Sequence, residues 1–229
     1  MTGPGRLLAS GRWSDIYELG PDRVLRRYRD PAGMPAWEAA VMRHVRAHGV
    51  PTPEVIAVNG LDMVLERVHG PTMLEDLANR PWRLRDHVQT LVELHRLVHQ
   101  VPVPTGPPAP FGDGESLLHL DLHPANVILS ANGPVLLDWQ GAVLGPAAAD
   151  LAHTYLLLAT STIPGPWHQR VITTLGQSLF ATMFRTAAGP AAIDTRLNQV
   201  AQHRLTDPTL LPHEAQRIRH LLRDRDTKT

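Results

Sequence analysis

The sequence contains no cysteine. Disulfides, thiol nucleophiles and cysteine metal ligands are therefore excluded. It also lacks a net charge, with 22 Lys and Arg against 22 Asp and Glu. A nucleic-acid partner ordinarily demands a basic surface, so none is expected. No uninterrupted apolar run approaches the length of a membrane span. Met1–Ser10 carries one Arg but no apolar run long enough for a signal peptide. No internal repeat is visible. These absences lead to the expectation of a soluble, cytoplasmic chain with neither a membrane nor a nucleic acid as partner. What is present is 43% hydrophobic residues over 229 positions, enough for one or two domains with a real core.

The chemistry concentrates in Leu117–Gln140, LLHLDLHPANVILSANGPVLLDWQ. Two apolar runs, Val127–Leu129 and Val135–Leu137, flank Asn132-Gly133, a strong hairpin turn signal. A hairpin brings its outer ends together, so Asn126 and Asp138 should lie close in space. A carboxylate and an amide oxygen suit a hard, oxygen-preferring cation such as Mg²⁺. Asp121 sits one loop away, where a base for a substrate hydroxyl would be needed. A Zn²⁺ site on His119, Asp121 and His123 is the rival chemistry, but Pro124 follows at once and no further ligand set completes the sphere.

The run HLDLHPAN (119–126), followed by Asp138-Trp139 after an apolar strand, resembles the catalytic core of the aminoglycoside phosphotransferase family. That family shares the protein-kinase-like fold, so the resemblance implies an α+β, two-lobed chain. A small antiparallel-sheet lobe would cover residues 1–69, and a mostly helical lobe with the catalytic loop and acceptor pocket would cover 70–229. It also implies Asp121 as catalytic base, with Asn126 and Asp138 as metal ligands. The family usually has Gly before the catalytic Asp, where this chain has Leu120.

The start of the chain reads as an antiparallel meander: Arg6–Ser10, Trp13–Leu19 and Arg23–Arg29. Its first turn holds one Gly rather than the three of a Gly-rich loop. By the resemblance it falls where phosphates are covered, so Ser10 and Gly11 amides, or the Ser14 hydroxyl, would face them. The third strand of a kinase-like fold carries a Lys; Arg26 stands at the best-matching position. Its neighbour Arg27 must face the other way. A helix over Met34–His48 has an apolar stripe of Trp37, Val41 and Val45. The resemblance makes Glu38 on it the partner of Arg26. Strands at Glu54–Val58 and Leu61–Val68 surround a second Asn-Gly turn. By resemblance the latter is the adenine hinge, with the Glu66 carbonyl, the Val68 amide and Leu65 at the back of the pocket.

Thr72–Asn79 reads as a short helix and Pro81–Gln100 as a long one, with Trp82, Val88, Leu91, Leu94 and Val98 on its apolar face. His95 and His99, four apart, have metal-binding spacing, though helix histidines beside a core are more often plain hydrogen-bonded residues. Val101–Pro110 is too proline-rich for helix and reads as a connector. Asp150 opens an apolar helix to about Thr160, as its N-cap or, by resemblance, as the group that ties down the catalytic loop near His119. Three further helices are expected near Trp167–Thr186, Ala191–His203 and Pro212–Arg223, with a frayed tail after Asp224.

Together these features imply an ATP- and Mg²⁺-dependent phosphotransferase acting on a hydroxyl of a small molecule. Arg26 in place of Lys keeps a second reading open, a catalytically weak kinase-like protein that binds nucleotide in a regulatory role. The charge balance of the last third, where the acceptor pocket is normally built, speaks against a polycationic aminoglycoside as acceptor.

Overall fold

The computed structural model describes residues 5–11, 13–30, 34–102, 110–112, 114–161, 167–207 and 210–226. Most of the proline-rich connector, 103–109, and the tail from 227 lie outside the described residues. By internal packing the chain divides into two compact units. The first comprises Met1–Asn79 with Pro124–Ala142, the second Arg80–His123 with Val143–Thr229.

The first unit is built on a five-stranded antiparallel sheet in the order β1-β2-β3-β5-β4. The strands are β1 (Leu7–Ser10), β2 (Ser14–Glu18), β3 (Arg23–Tyr28), β4 (Val55–Asn59) and β5 (Asp62–Glu66). Helix α1 (Pro35–Ala47) packs on β4 and β5 and buries Glu38, Ala39, Val41, Met42 and Val45. Trp37, expected in that stripe, is half-buried and donates its indole N–H to the Ala142 carbonyl at 2.9 Å. Helix α2 (Met73–Asn79) opens on a reciprocal cap. The Glu75 amide donates to Thr72 Oγ1 at 3.1 Å, and the Thr72 amide donates to Glu75 Oε2 at 2.7 Å.

The hairpin β7 (Val127–Ser130) and β8 (Gly133–Leu136) belongs to this unit. The expectation from sequence placed the boundary near residue 69, leaving α2 and the hairpin in the second lobe. Packing groups both with the first sheet because backbone bonds tie them there. The Leu129 amide donates to the Pro71 carbonyl and the Leu136 amide to the Pro51 carbonyl, each at 2.8 Å. Gly70 makes the approach possible: at φ 145°, a Cβ there would fall 2.3 Å from the Leu129 carbonyl oxygen. Both Asn-Gly turns sit one residue off the expected position. Ser130 pairs with Gly133, so Ala131 and Asn132 turn the chain; Asn59 pairs with Asp62, so Gly60 and Leu61 do.

The second unit is helical around a small two-stranded sheet, β6 (Ser116–Leu118) with β9 (Val143–Gly145). Its helices are α3 (Leu84–Gln100), α4 (Ala147–Thr160), α5 (Trp167–Ala188), α6 (Pro190–Leu205) and α7 (Pro212–Asp226). Helix α4 packs against α5 and α6, and α3 against α5 and β6. Val88, Leu91, Leu94 and Val98 are buried as their spacing requires. Trp82 is not: it is 76% exposed. Pro81–Arg83 form a 3₁₀ turn ahead of the α-helix, and its tighter winding throws Trp82 off the stripe. No helix among the described residues is long and apolar enough to cross a membrane.

Candidate active site

The first cluster forms on β3 and α1. Arg26 and Glu38 are 8% and 0% exposed, and both are charged, so each must find partners inside. The Arg26 guanidinium uses all three of its nitrogens. Nη1 donates to Glu38 Oε1 at 2.8 Å, Nη2 to Asp138 Oδ1 at 2.8 Å, and Nε to Ser14 Oγ at 3.0 Å. Its carbon lies 5.1 Å from the centre of the Tyr28 ring. Glu38 accepts further bonds from the Tyr28 hydroxyl and, at 3.1 Å, from the Trp139 amide. Burial pushes the Glu38 carboxyl up from its usual value, with Arg26 opposing. Burial alone would lower the Arg26 value, but Glu38 and Asp138 outweigh it and hold the guanidinium protonated. Arg27, on the opposite sheet face, forks to Asp62 through two bonds of 2.7 Å.

The hairpin delivers the carboxylate to this cluster. Val127 pairs with Leu136, and the Leu137 amide donates to the Asn126 carbonyl at 2.8 Å, so the two outer ends meet. The turn out of β8 puts Asp138 at φ 63°, which aims its carboxylate away from the strand direction. Beneath it Trp139 is fully buried, its indole N–H on Thr52 Oγ1 at 2.9 Å, while Thr52 Oγ1 donates to the Leu136 carbonyl at 3.0 Å. Asp138 and Asn126 thus offer one carboxylate and one amide oxygen on adjoining backbone. That donor set fits Mg²⁺, a hard ion bound through one or two protein oxygens.

The second cluster lies in the other unit, around the loop 119–123. Asp150 is fully buried in the first turns of α4, where it caps no helix; Pro146 stands at the N-cap. Its carboxylate instead accepts the Leu120 amide at 2.8 Å and the His119 amide at 3.1 Å. His119 is buried too, and its Nδ1 accepts the Asp121 amide at 3.2 Å. The Asp121 carboxylate is left partly exposed, 3.5 Å from His123 Nε2. Leu120 adopts φ 57°, the left-handed region that favours glycine.

A family model described as the phosphotransferase enzyme family matches residues 5–114 and 104–193. The chain belongs to that family. No curated protein matches it in sequence. Solved structures do match in fold. Aminoglycoside phosphotransferase APH(4)-Ia aligns with a TM-score of 0.62 at 16% identity, over 87% of this chain and 84% of that one. The streptomycin–ATP–APH(2")-IIa ternary complex gives 0.63 at 12%, over 87% and 82%. The GDP and kanamycin complex of APH(2")-IIIa gives 0.60 at 13%, over 98% and 93%. The fold is therefore the α+β, kinase-like one expected from the sequence.

As a member of the phosphotransferase family, the chain has a first turn that differs from the expectation. The Gly11 amide, expected to face phosphates, donates to the Ser14 carbonyl at 2.9 Å. Ser14, also expected there, is buried and holds Arg26. Ser10 Oγ donates to Asp15 at 2.6 Å and accepts from Arg29 at 2.7 Å. A turn with one glycine closes on itself through side chains. In the expected hinge, Leu65 is buried in β5, Glu66 ends that strand, and Val68 lies two residues past the last ladder pair. Tyr28 was not singled out from the sequence. The available signal was its place two residues after Arg26, on the same strand face.

Proposed function

We propose that the chain is an ATP-dependent phosphotransferase that moves the γ-phosphoryl group to a hydroxyl of a small molecule, and that this acceptor is not a polycationic aminoglycoside. The observation that carries the reading is the buried Arg26–Glu38 pair with Asp138 on the same guanidinium. A charge triad of this kind costs desolvation and gains little stability over apolar packing, so it points to use rather than to folding. Nucleotide appears in the names of similar structures as ATP and as GDP, which supports a nucleotide as donor.

In this reading Arg26 faces the α- and β-phosphates with the two guanidinium hydrogens its three bonds leave over, and Glu38 fixes its direction. Leu65, Glu66 and Val68 hold the base, the last two through backbone groups. Ser10 contributes at the phosphate turn through its backbone. Gly11 contributes by letting the turn close, since its amide is engaged. Asn126 and Asp138 would hold Mg²⁺, which neutralises charge on the transferring phosphoryl group when bound. Asp121 accepts or orients the proton of the attacking hydroxyl. The Asp150 carboxylate keeps the His119 and Leu120 amides, those of the two residues before Asp121, in place, so the base is presented on a braced loop.

A screen for ADP release tests this. ATP with Mg²⁺ should raise the melting temperature, and a neutral hydroxyl compound among metabolites and antibiotics should then release ADP in proportion to its phosphorylation. A nucleotide-induced shift with no ADP release from any hydroxyl compound would show a binding protein instead.

A further inference from the structure

Bracing the loop 119–120 accounts for Asp150, but phosphoryl transfer gives no account of the two histidines, His95 and His99, gathered on the same carboxylate. The two histidines are one turn apart on α3 and face the same way. Asp150 reaches them from α4. His99 Nε2 lies 2.9 Å and His95 Nδ1 3.3 Å from the same oxygen, Asp150 Oδ2. The three ligand atoms lie within 4.8 Å of one another. The side chains of His95 and Asp150 are 2% and 0% exposed; that of His99 is 13% exposed.

Counting protons shows that something is missing. Thr154 Oγ1 donates its one hydrogen to the Leu122 carbonyl at 2.8 Å. It must then accept from His95 Nε2, 3.0 Å away, which fixes the His95 proton on Nε2. A neutral imidazole protonated there has a bare lone pair at Nδ1. That nitrogen is buried, makes no hydrogen bond among the described residues, and points at a carboxylate oxygen. Two acceptors face each other in a dry place, an arrangement that costs free energy until a cation lies between them.

We propose that His95, His99 and Asp150 form a buried site for a divalent transition-metal ion of the Zn²⁺ class. Two imidazole nitrogens and a carboxylate oxygen are a ligand set such an ion takes. Bond lengths of about 2.1 Å in a tetrahedral shell put ligand atoms roughly 3.4 Å apart, close to the separations found here. The ion takes the lone pairs of His95 Nδ1 and His99 Nε2, and the His99 ring stays neutral as its one proton passes from Nε2 to Nδ1. Thr154 and the Leu122 carbonyl then act as the outer shell that fixes the His95 tautomer. Because Asp150 also holds the His119 and Leu120 amides, the ion would lock α3, α4 and the loop 119–120 into one rigid piece. The site stands whether or not the chain transfers phosphate.

The test is Co²⁺ titration of the untagged, metal-stripped protein. We expect one Co²⁺ per chain with the visible absorption of a four-coordinate ion, displaced by an equivalent of Zn²⁺, and a higher melting temperature with either metal. His99→Ala, and His99→Gln as a second variant should alanine fail to fold, should abolish the absorption. His48→Ala, which breaks the exposed His44–His48 pair on α1, should leave it unchanged. No stoichiometric absorption in the wild type would overturn the proposal, as would absorption that survives either His99 variant. Nitrogen-15 resonances showing His95 protonated at both nitrogens in the metal-stripped and metal-treated protein alike would also overturn it.

Discussion

The resemblance puts Arg26 at the place expected of a lysine, and under the proposed function its fork would accommodate that exchange. An ammonium is a compact point charge; a guanidinium can hold Ser14, Glu38 and Asp138 at once, in one plane. Losing it leaves Glu38 buried with no cation, an event that ordinarily costs about 3–5 kcal/mol. Arg26→Ala should therefore lower the urea midpoint strongly, while Arg27→Ala, whose pair with Asp62 is solvent-screened, should leave both the midpoint and ATP affinity near wild type. If the two variants exchange behaviour, the strand faces are misassigned. Leu120 gives a second residue-scale expectation. At φ 57° a side chain is strained by about 1–2 kcal/mol, and glycine is not. Elsewhere alanine is commonly the more stabilising of the two small residues, whereas here Leu120→Gly should be more stable than Leu120→Ala by about 1 kcal/mol in chemical denaturation. The reverse order would mean that the loop relaxes out of the left-handed conformation.

Elements were legible where their signal was long or chemically specific. The meander, α1, α3 and the hairpin followed from periodicity and turn residues, and the meeting of Asn126 with the 137–138 segment followed from hairpin geometry alone. Strands β6 and β9 did not, because three residues are too few to show a period. Trp82 misled because periodicity assumes 3.6 residues per turn through a stretch that is 3₁₀. Asp150 read from the residues alone as a cap, because a sequence does not say whether a carboxylate accepts its own helix's amides or another segment's; the resemblance added the tie to the loop near His119, which is where its bonds go. The same limit hid the link between Asp150 and the His95–His99 pair, 55 and 51 positions earlier. The proposed division of labour, with Asp138 on the hairpin as metal ligand and Asp121 on the loop as base, is testable in the same terms. Asp138→Asn removes the carboxylate from the metal set and should retain the fold, cut turnover severely and weaken Mg²⁺-dependent ATP binding. Asp121→Asn removes only the base, so calorimetry should find ATP affinity nearly intact while the rate falls by roughly 10²–10⁴-fold. Equal loss of ATP affinity in both would sink this assignment of roles.

At the scale of the molecule, zero net charge conceals an imbalance along the chain. From Leu151 to Thr229 the sequence has nine basic residues, including Arg170, Arg185, Arg196, Arg217 and Arg223, against five acidic ones, which leaves that segment at +4 and the first 150 residues at −4. The structure narrows the acid supply further. Asp194 is engaged by Arg185 at 2.7 Å, Asp207 by Arg204 at 2.8 Å, and Asp224 by His220 at 2.8 Å. In the other direction, Arg219 and Arg223 line a surface cavity of about 430 Å³ between α6 and α7, together with Asn198 and Gln202. A polycation is steered and held by acidic surface, and like charge repels it. The helical segment expected to build the acceptor pocket is thus the wrong sign for an aminoglycoside. A neutral or weakly anionic hydroxyl compound meets no such barrier. Calorimetric titration of the ATP-loaded protein should give no micromolar binding with kanamycin-like compounds at any ionic strength, and measurable heat with some neutral polyol or hydroxylated metabolite. Charge reversal offers a sharper arm, because Arg219→Glu with Arg223→Glu shifts the segment by four charges, to neutrality. If the field sets the selection, that double variant should accept polycations better, and the gain should fade as salt is added. Micromolar binding of an aminoglycoside by the wild type, followed by its phosphorylation, would show that acids outside this segment converge on the acceptor and outweigh its charge.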